Sequence, residues 1–495
     1  MPTPLTRTYT LVRGAVRWML RLFFREIAVE GREHIPAARG GLLVAWHPNG
    51  VIDAGLMLAA FPGHVVFGAR DGLLRWPILG NMMRAAGTVP IYRAQDQKGM
   101  SEADRRAANQ RSLDALAGAV AGGSFSALFP EGQSHDAPHV TPVKSGAARI
   151  FLRAHDLASG AAPALPAPEA GSFTAPPVII PVGLHYDDKA VFRSDVLVVF
   201  HPPLALSPEA LADPHVLSAE IERALVRVVH ATEDWDLHRA MIRASSLMRA
   251  EMAARDGRLA EPATIAERHL DFEVMWTSYH ARLDTHPAEI EALRRDVAAY
   301  RRKMRLLGMN DADLDRPGRS GVFQIAWALL QAAIAYLVLR PLFLLGFLVS
   351  GPPYWALKPL ARKVATAEKD KATIKLLGGL VLFPLAWITA SVVAAFAYGP
   401  LRRIAPWLPD WPIGVIGALA FVLCVAGAVV ALRSAELTLE TWRTVRARMA
   451  RRMESERVDA LRRQRADLHD RLVALAQGLP AVERIEGAKA PPEAM

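Results

Sequence analysis

The stretch LLVAWHPNGVID, residues 42–53, passes from a strand to a helix and leaves a histidine and an aspartate at the junction. Leu42 to Trp46 form an apolar run after Gly40-Gly41, the pattern of a strand covered on both faces. Pro48, Asn49 and Gly50 are turn residues, and Val51 to Phe61 resumes at helical spacing. Asn49 is therefore expected to cap a helix whose first turn holds Asp53. Taken alone, the pair reads most plainly as a solvated histidine beside an aspartate that favours the helix dipole. The rest of the chain has to decide whether His47 and Asp53 do more.

At 495 residues the chain exceeds one ordinary domain, and 52% hydrophobic content is slightly high for a soluble protein. The single cysteine, Cys424, excludes an intramolecular disulfide framework and any multi-cysteine metal site, and it sits in an apolar run as a small packing residue. A net charge of +10 suits an anionic membrane face or phosphorylated substrates. Nucleic acid would fit the charge equally, but no nucleic-acid motif accompanies it and none is expected as a partner. No secretory signal peptide is expected. Residues 1–25 instead read as a basic amphipathic helix, with Arg13, Arg17, Arg21 and Arg25 spaced by four among Val12, Val16, Trp18, Leu20, Phe23 and Phe24. Such a helix suits a lipid interface or packing on the adjoining domain.

Beyond residue 315 the character changes. Within a membrane region expected over 316–432, apolar stretches at 322–350, 376–398 and 412–432 approach or exceed the length that crosses a bilayer, about 20 residues. Lys358, Arg362, Lys363, Lys369, Lys371 and Lys375 place the first connecting loop on the cytoplasmic side. Arg340-Pro341 marks a break, so 322–350 is expected to form a re-entrant hairpin, with a simple span as the alternative. The second and third stretches then form a hairpin of spans, leaving 433–495 as a charged cytoplasmic helical tail. Its Val458, Leu461, Leu468, Leu472 and Leu475 recur at coiled-coil-like spacing, with Arg465 interrupting the seam. Residues 206–315 read as a helical extension, with helix starts at Ser207-Pro208 and Thr285-His286-Pro287. The Ala/Pro-rich segment 158–177 reads as a loop inserted in the front domain, because strand-like sequence resumes after it.

Three further stretches of the front domain join the first. GTVPIYRAQD (87–96) is an extended segment ending at Arg93, a residue suited to holding a phosphate. SALFPEGQSH (126–135) is a strand broken by Pro130 and followed by Glu131-Gly132, with Lys144 downstream in PVKSGAARI. PVIIPVGLHY (177–186) is a strand interrupted by Pro181. In this order the four resemble the blocks of the glycerolipid acyltransferase superfamily, over a domain at 26–205. HPNGVID, FPEGQSH and PVKSGAARI further resemble the branch that contains the fungal-type glycerol-3-phosphate acyltransferases. Two departures stand out. Five residues, Pro48 to Ile52, separate His47 from Asp53, one more than is common in the superfamily. Gln133, Ser134 and His135 stand where an arginine often follows FPEG, so phosphate recognition should lean on Arg93 and Lys144.

The resemblance implies an α/β acyltransferase domain with a mixed sheet flanked by helices, then the helical segment and a C-terminal helical membrane region. It implies His47 as general base, with Asp53 holding the other ring nitrogen. Arg93 would grip the acceptor phosphate, Glu131 and Gly132 would position glycerol or phosphate, and Pro181 would shape the acyl-donor side. The chemistry fits the residue types, because an alcohol attacking a thioester needs a base that titrates near neutrality. No acyl-enzyme is required: there is no GxSxG elbow, and Cys424 lies in an apolar stretch. No metal and no cofactor are expected, since His135, His139 and His155 lack a ligand pattern and His185 and His201 read as strand-end or packing residues. His135, beside the third block, is the one that could contact the substrate.

The expected activity is transfer of a fatty acyl group from acyl-CoA or acyl carrier protein to glycerol 3-phosphate or its 1-acyl derivative, lysophosphatidate. It would occur among membrane lipids at the cytoplasmic face, in the inner membrane if the source is bacterial. A lysophospholipid-remodelling acyltransferase and a non-catalytic lipid-binding scaffold are the alternatives.

Overall fold

The run from Gly40 to Trp46 does become a strand, β2 (Gly41–Ala45), every residue of which is buried. The computed structural model describes residues 6–76, 79–92, 101–161, 175–189, 191–315, 330, 340–365, 368–477 and 493–494. Around β2 the sheet is built from β1 (Glu26–Glu30), β3 (Val65–Arg70), β4 (Val89–Ile91), β5 (Phe125–Leu128), β6 (Val178–Tyr186), β7 (Asp195–Phe200) and the two-residue β8 (Glu493–Ala494). The order is β4-β3-β5-β2-β6-β7-β1-β8. Pairs are parallel except for β6 with β7 and β1 with β8, so the sheet is mixed.

Successive β2 side chains point to opposite faces and enter two different cores. Leu43 and Ala45 face α1 (Arg7–Phe23) and α2 (Val51–Ala60) together with Leu20, Leu56 and Phe61. Leu42 and Val44 face α5 (Glu102–Ala121), α6 (Gly146–Ala158) and α8 (Pro214–Val229) with Leu116, Phe151 and Ile221. The short helices α3 (Asp71–Leu74), α4 (Leu79–Ala85) and α7 (Pro208–Ala212) fill the connections. Helices on both faces of a largely parallel sheet make a three-layer α/β domain.

One local expectation is corrected, and one of two alternatives for the N-terminal helix is seen. Asn49 does not cap α2: Gly50, at φ 56°, is the N-cap residue and makes no side-chain capping bond, while the Asn49 side chain donates to the Lys189 carbonyl at 2.9 Å. In α1 the face carrying Tyr9, Leu20 and Phe23 is buried on the domain. Two of its arginines serve the end of α2, with Arg17 donating to the Ala59 carbonyl at 2.7 and 2.9 Å and Arg13 to the Pro62 carbonyl at 3.0 Å. Those carbonyls have no partner within α2, and a cation is favoured at a helix C-terminus. Leu11, Trp18 and Leu22 remain exposed on the outer side of α1.

The helical extension comprises α9 (Trp235–Arg255), α10 (Ile265–Arg282) and α11 (Pro287–Leu307). Next come α12 (Arg340–Val364), α13 (Glu368–Ile404), α14 (Ile413–Met453) and α15 (Ser455–Ala476). Thr373–Ile404 and Ile413–Ala435 are long and apolar enough to cross a membrane, with little of either segment buried. The third helix, α12, packs on both; a Cβ at Gly346 would lie 1.9 Å from the Gly427 carbonyl oxygen, so α12 and α14 meet backbone to backbone. Arg340 begins α12, and residues 331–339, on which the expected hairpin turns, lie outside the described residues.

Candidate active site

Because β2, β5 and β6 run parallel, their C-terminal ends open on one edge of the sheet, where ligands of open α/β sheets commonly sit. His47 follows β2, Glu131 follows β5, and Tyr186 ends β6. The sharp turn at 48–50 then brings the first turn of α2 back beneath His47. His47 Nδ1 lies 2.9 Å from Asp53 Oδ2, spanning the five intervening residues noted above.

Asp53 is fully buried, and three donors converge on it. Oδ2 accepts from His47 Nδ1 and from the Asn49 backbone N–H at 2.7 Å, and Oδ1 accepts from the Tyr186 hydroxyl. A carboxylate with these partners is an acceptor only, so the proton of a neutral His47 belongs on Nδ1 and the lone pair on Nε2. Nε2 has no hydrogen-bond partner among the described residues, and the imidazole is partly exposed. The ring stacks on Phe129, centroids 3.9 Å apart and planes within 10°, which restricts its rotation. Burial and, secondarily, the Asp53 charge push the Tyr186 phenol well above its ordinary pKa, so it stays a neutral donor.

Glu131, 1% exposed, holds the loop from the other side. Oε2 accepts the His47 backbone N–H at 2.9 Å, while Oε1 accepts the Thr141 N–H and lies against His135 Nε2, both at 2.7 Å. The His135 N–H returns to the His47 carbonyl at 3.1 Å, so the first and third blocks are tied together twice. Lys189 closes the turn through the Pro48 carbonyl at 3.0 Å and Asp136 at 2.8 Å.

The structure thus brings His47, Asp53 and Glu131 together. Gly132, at φ +75°, lies under the Lys144 side chain, whose Nζ would be 3.0 Å from a Cβ built on that glycine; Lys144 itself is exposed. Pro181 is elsewhere. Five positions from Tyr186 on one strand, it faces the other side of the sheet, lining a cleft with His201, Leu204, Arg227 and His230. Arg93 lies outside the described residues, two positions past the end of β4. Sequence reasoning missed Tyr186, the Asn49 amide and the His135–Glu131 contact. The first has a weak signal, a polar aromatic ending the proline-broken strand; the second, being backbone, has none. Among the described residues no group of three or more His, Cys, Asp or Glu side chains is placed to hold a metal.

Comparison with known proteins bears on both halves of the chain. The family model described as Acyltransferase matches residues 26–185, and one described as Glycerol-3-phosphate acyltransferase 2 C-terminal domain matches residues 275–480. Glycerol-3-phosphate O-acyltransferase 2 of Saccharomyces cerevisiae is 22% identical over 343 residues, covering 64% of this chain and 42% of the yeast protein. Glycerol-3-phosphate O-acyltransferase 1 of the same yeast is 21% identical over 370 residues, covering 70% and 44%. The chain therefore spans less than half the length of these two relatives. Among solved structures, the 1-acyl-sn-glycerophosphate (LPA) acyltransferase of Thermotoga maritima matches at a TM-score of 0.32 and 18% identity, over 45% of this chain and 78% of that one. The chain thus matches an acyltransferase family over its front domain and the C-terminal domain of glycerol-3-phosphate acyltransferase 2 over its helical rear.

Proposed function

We propose that this protein is a membrane-bound O-acyltransferase that moves a fatty acyl group from a thioester to glycerol 3-phosphate or its 1-acyl derivative. The observation that carries the reading is the His47–Asp53 contact of 2.9 Å, with Nε2 at the sheet edge left without a hydrogen-bond partner among the described residues. Nε2 takes the proton of the acceptor hydroxyl as its oxygen attacks the thioester carbonyl. The thiolate leaves, and the proton held by the imidazolium returns to it. Asp53 favours the imidazolium in between. Acyl-CoA or acyl carrier protein supplies the thioester, and Arg93 and Lys144 are the candidates for the acceptor phosphate. The names of the two yeast relatives favour glycerol 3-phosphate as the acceptor.

The membrane arrangement follows from charge. Hairpin packing of α13 and α14 puts the lysine-rich start of α13 and the arginine-rich half of α14 at one end, and the turn with exposed Trp407 and Trp411 at the other. Basic residues favour the cytoplasmic side and tryptophans an interface, so the reading places the acyltransferase domain at the cytoplasmic face. Competition tests the acceptor: with labelled acyl-CoA, glycerol 3-phosphate should be acylated in preference to lysophosphatidate and to head-grouped lysolipids. Preference for a head-grouped lysolipid would replace the reading with a remodelling enzyme.

A further inference from the structure

We infer that Tyr186 is a positioning residue of the reaction, acting through Asp53 to set how firmly His47 holds its proton. The inference rests on the reading of His47 as the general base. Two of the three donors on Asp53, the Asn49 amide and His47 Nδ1, come from the same turn as Asp53 itself. The third is the hydroxyl of Tyr186, from a different strand, and it occupies the other oxygen. Tyr186 is in turn fixed by the β6–β7 pairing opposite Val196 and by its ring against Phe24, centroids 6.0 Å apart. The orientation of the Asp53 carboxylate is thus anchored to the sheet and not to the turn alone.

A hydrogen bond into a carboxylate draws its charge towards the donor. With the phenol on Oδ1, less charge remains on Oδ2 for the Nδ1–H of His47. Removing the phenol concentrates charge on Oδ2, stabilises the imidazolium and raises the pH at which His47 becomes free to act as a base. The other titratable groups near the pair do not compete for Asp53. Glu131 and His135 bond each other and the backbone of His47 and Thr141, and Lys189 is engaged by Pro48, His135 and Asp136.

Two changes at Tyr186 test this in opposite directions, in full-length protein in lipid. Tyr186→Phe should move the acid limb of the kcat/KM profile upward by about one pH unit and lower plateau kcat about tenfold, with both KM values unchanged. Replacement by 3-fluorotyrosine, nearly isosteric and a stronger donor, should move the limb downward. The titration of the His47 imidazole, followed by NMR in histidine-labelled protein, should move in the same two directions and does not depend on turnover. An unmoved limb and titration in both variants, or a change in KM alone, would overturn the inference. Absence of acyl transfer by the wild type, with His47 still shifting as described, would sink the acyltransferase reading and leave the Tyr186–His47 coupling standing.

Discussion

Glu131 separates two ideas about the third block, because both of its oxygens are already engaged by protein donors. A glutamate that touched the acceptor would, once neutralised, raise its KM. A glutamate that holds the His47 backbone would lower kcat instead. Glu131→Gln puts an amide NH2 against N–H donors, at a cost of about 1–3 kcal/mol for the unsatisfied pair. The expected outcome is a fall in kcat of roughly tenfold or more with the glycerol 3-phosphate KM little changed, read by steady-state kinetics; a raised KM with kcat intact would restore the substrate-contact role. His47 and Asp53 were legible in sequence because a strand, a turn and a helix start can be read from neighbouring residues, and that geometry brings the pair together. Tyr186, 133 positions from Asp53, was not, because its approach depends on β6 choosing β2 as its parallel neighbour. Pro181 is the opposite case. Its motif was conspicuous, yet strand alternation turns it to the other face of the sheet, and only the register tells which face that is.

Helices were visible from their periodicity, but their partners were not. Arg465 reads in sequence as an interruption of the α15 seam, yet it is 1% exposed and forms ion pairs with Glu251 of α9 at 2.8 Å and with Asp315 at 2.7 Å. It also donates to the Asp311 carbonyl at 3.0 Å, so the helix that follows the apolar hairpin is locked to the extension. Arg465→Met removes the buried partner of two carboxylates, each of which keeps one outer arginine, Arg255 at 3.0 Å from Glu251 and Arg462 at 3.5 Å from Asp315, and should destabilise the protein by about 1–3 kcal/mol, read by chemical denaturation in detergent. A loss below about 1 kcal/mol would mean that this clasp contributes little. The arginines of α1 gave a similar lesson: a spacing of four suited a lipid interface or packing on the domain, and only the fold shows that Arg13 and Arg17 reach carbonyls more than 40 positions away. At the α12–α14 contact, Gly346→Val would force the two backbones apart. Overpacking of about 1–3 kcal/mol is expected as a lower unfolding temperature, and an unchanged temperature would argue against close backbone contact there.

Across the whole molecule, the extension is joined to the sheet through a group of histidines. His185 of β6 lies against His269 of α10, ring centroids 3.6 Å apart, with His230 5.3 Å from His269. Burial is the main cause that pushes His201, His230 and His238 down to about 4, and His185 and His269 well below the ordinary value. Neutral in the folded chain and titrating near 6.5 when unfolded, these groups make no demand above pH 6.5, but below it the unfolded state takes up protons first. Stability should therefore fall as pH drops from about 6.5 towards 4, and His230→Phe should flatten that fall, as followed by thermal unfolding. A curve of unchanged steepness would place the pH dependence elsewhere. The division into an α/β front and an apolar hairpin was legible from composition, because each solvent demands its own residues. Strand order and the docking of the C-terminal helix were not, being set by long-range packing. The central claim is that His47 is the base of an acyl transfer, and its most direct test offers labelled acyl-CoA and glycerol 3-phosphate to the purified protein in lipid. Wild type should form lysophosphatidate, and His47→Ala, folded and still binding both substrates, should be slower by about 10²–10⁴-fold; turnover by His47→Ala at the wild-type rate would contradict the account.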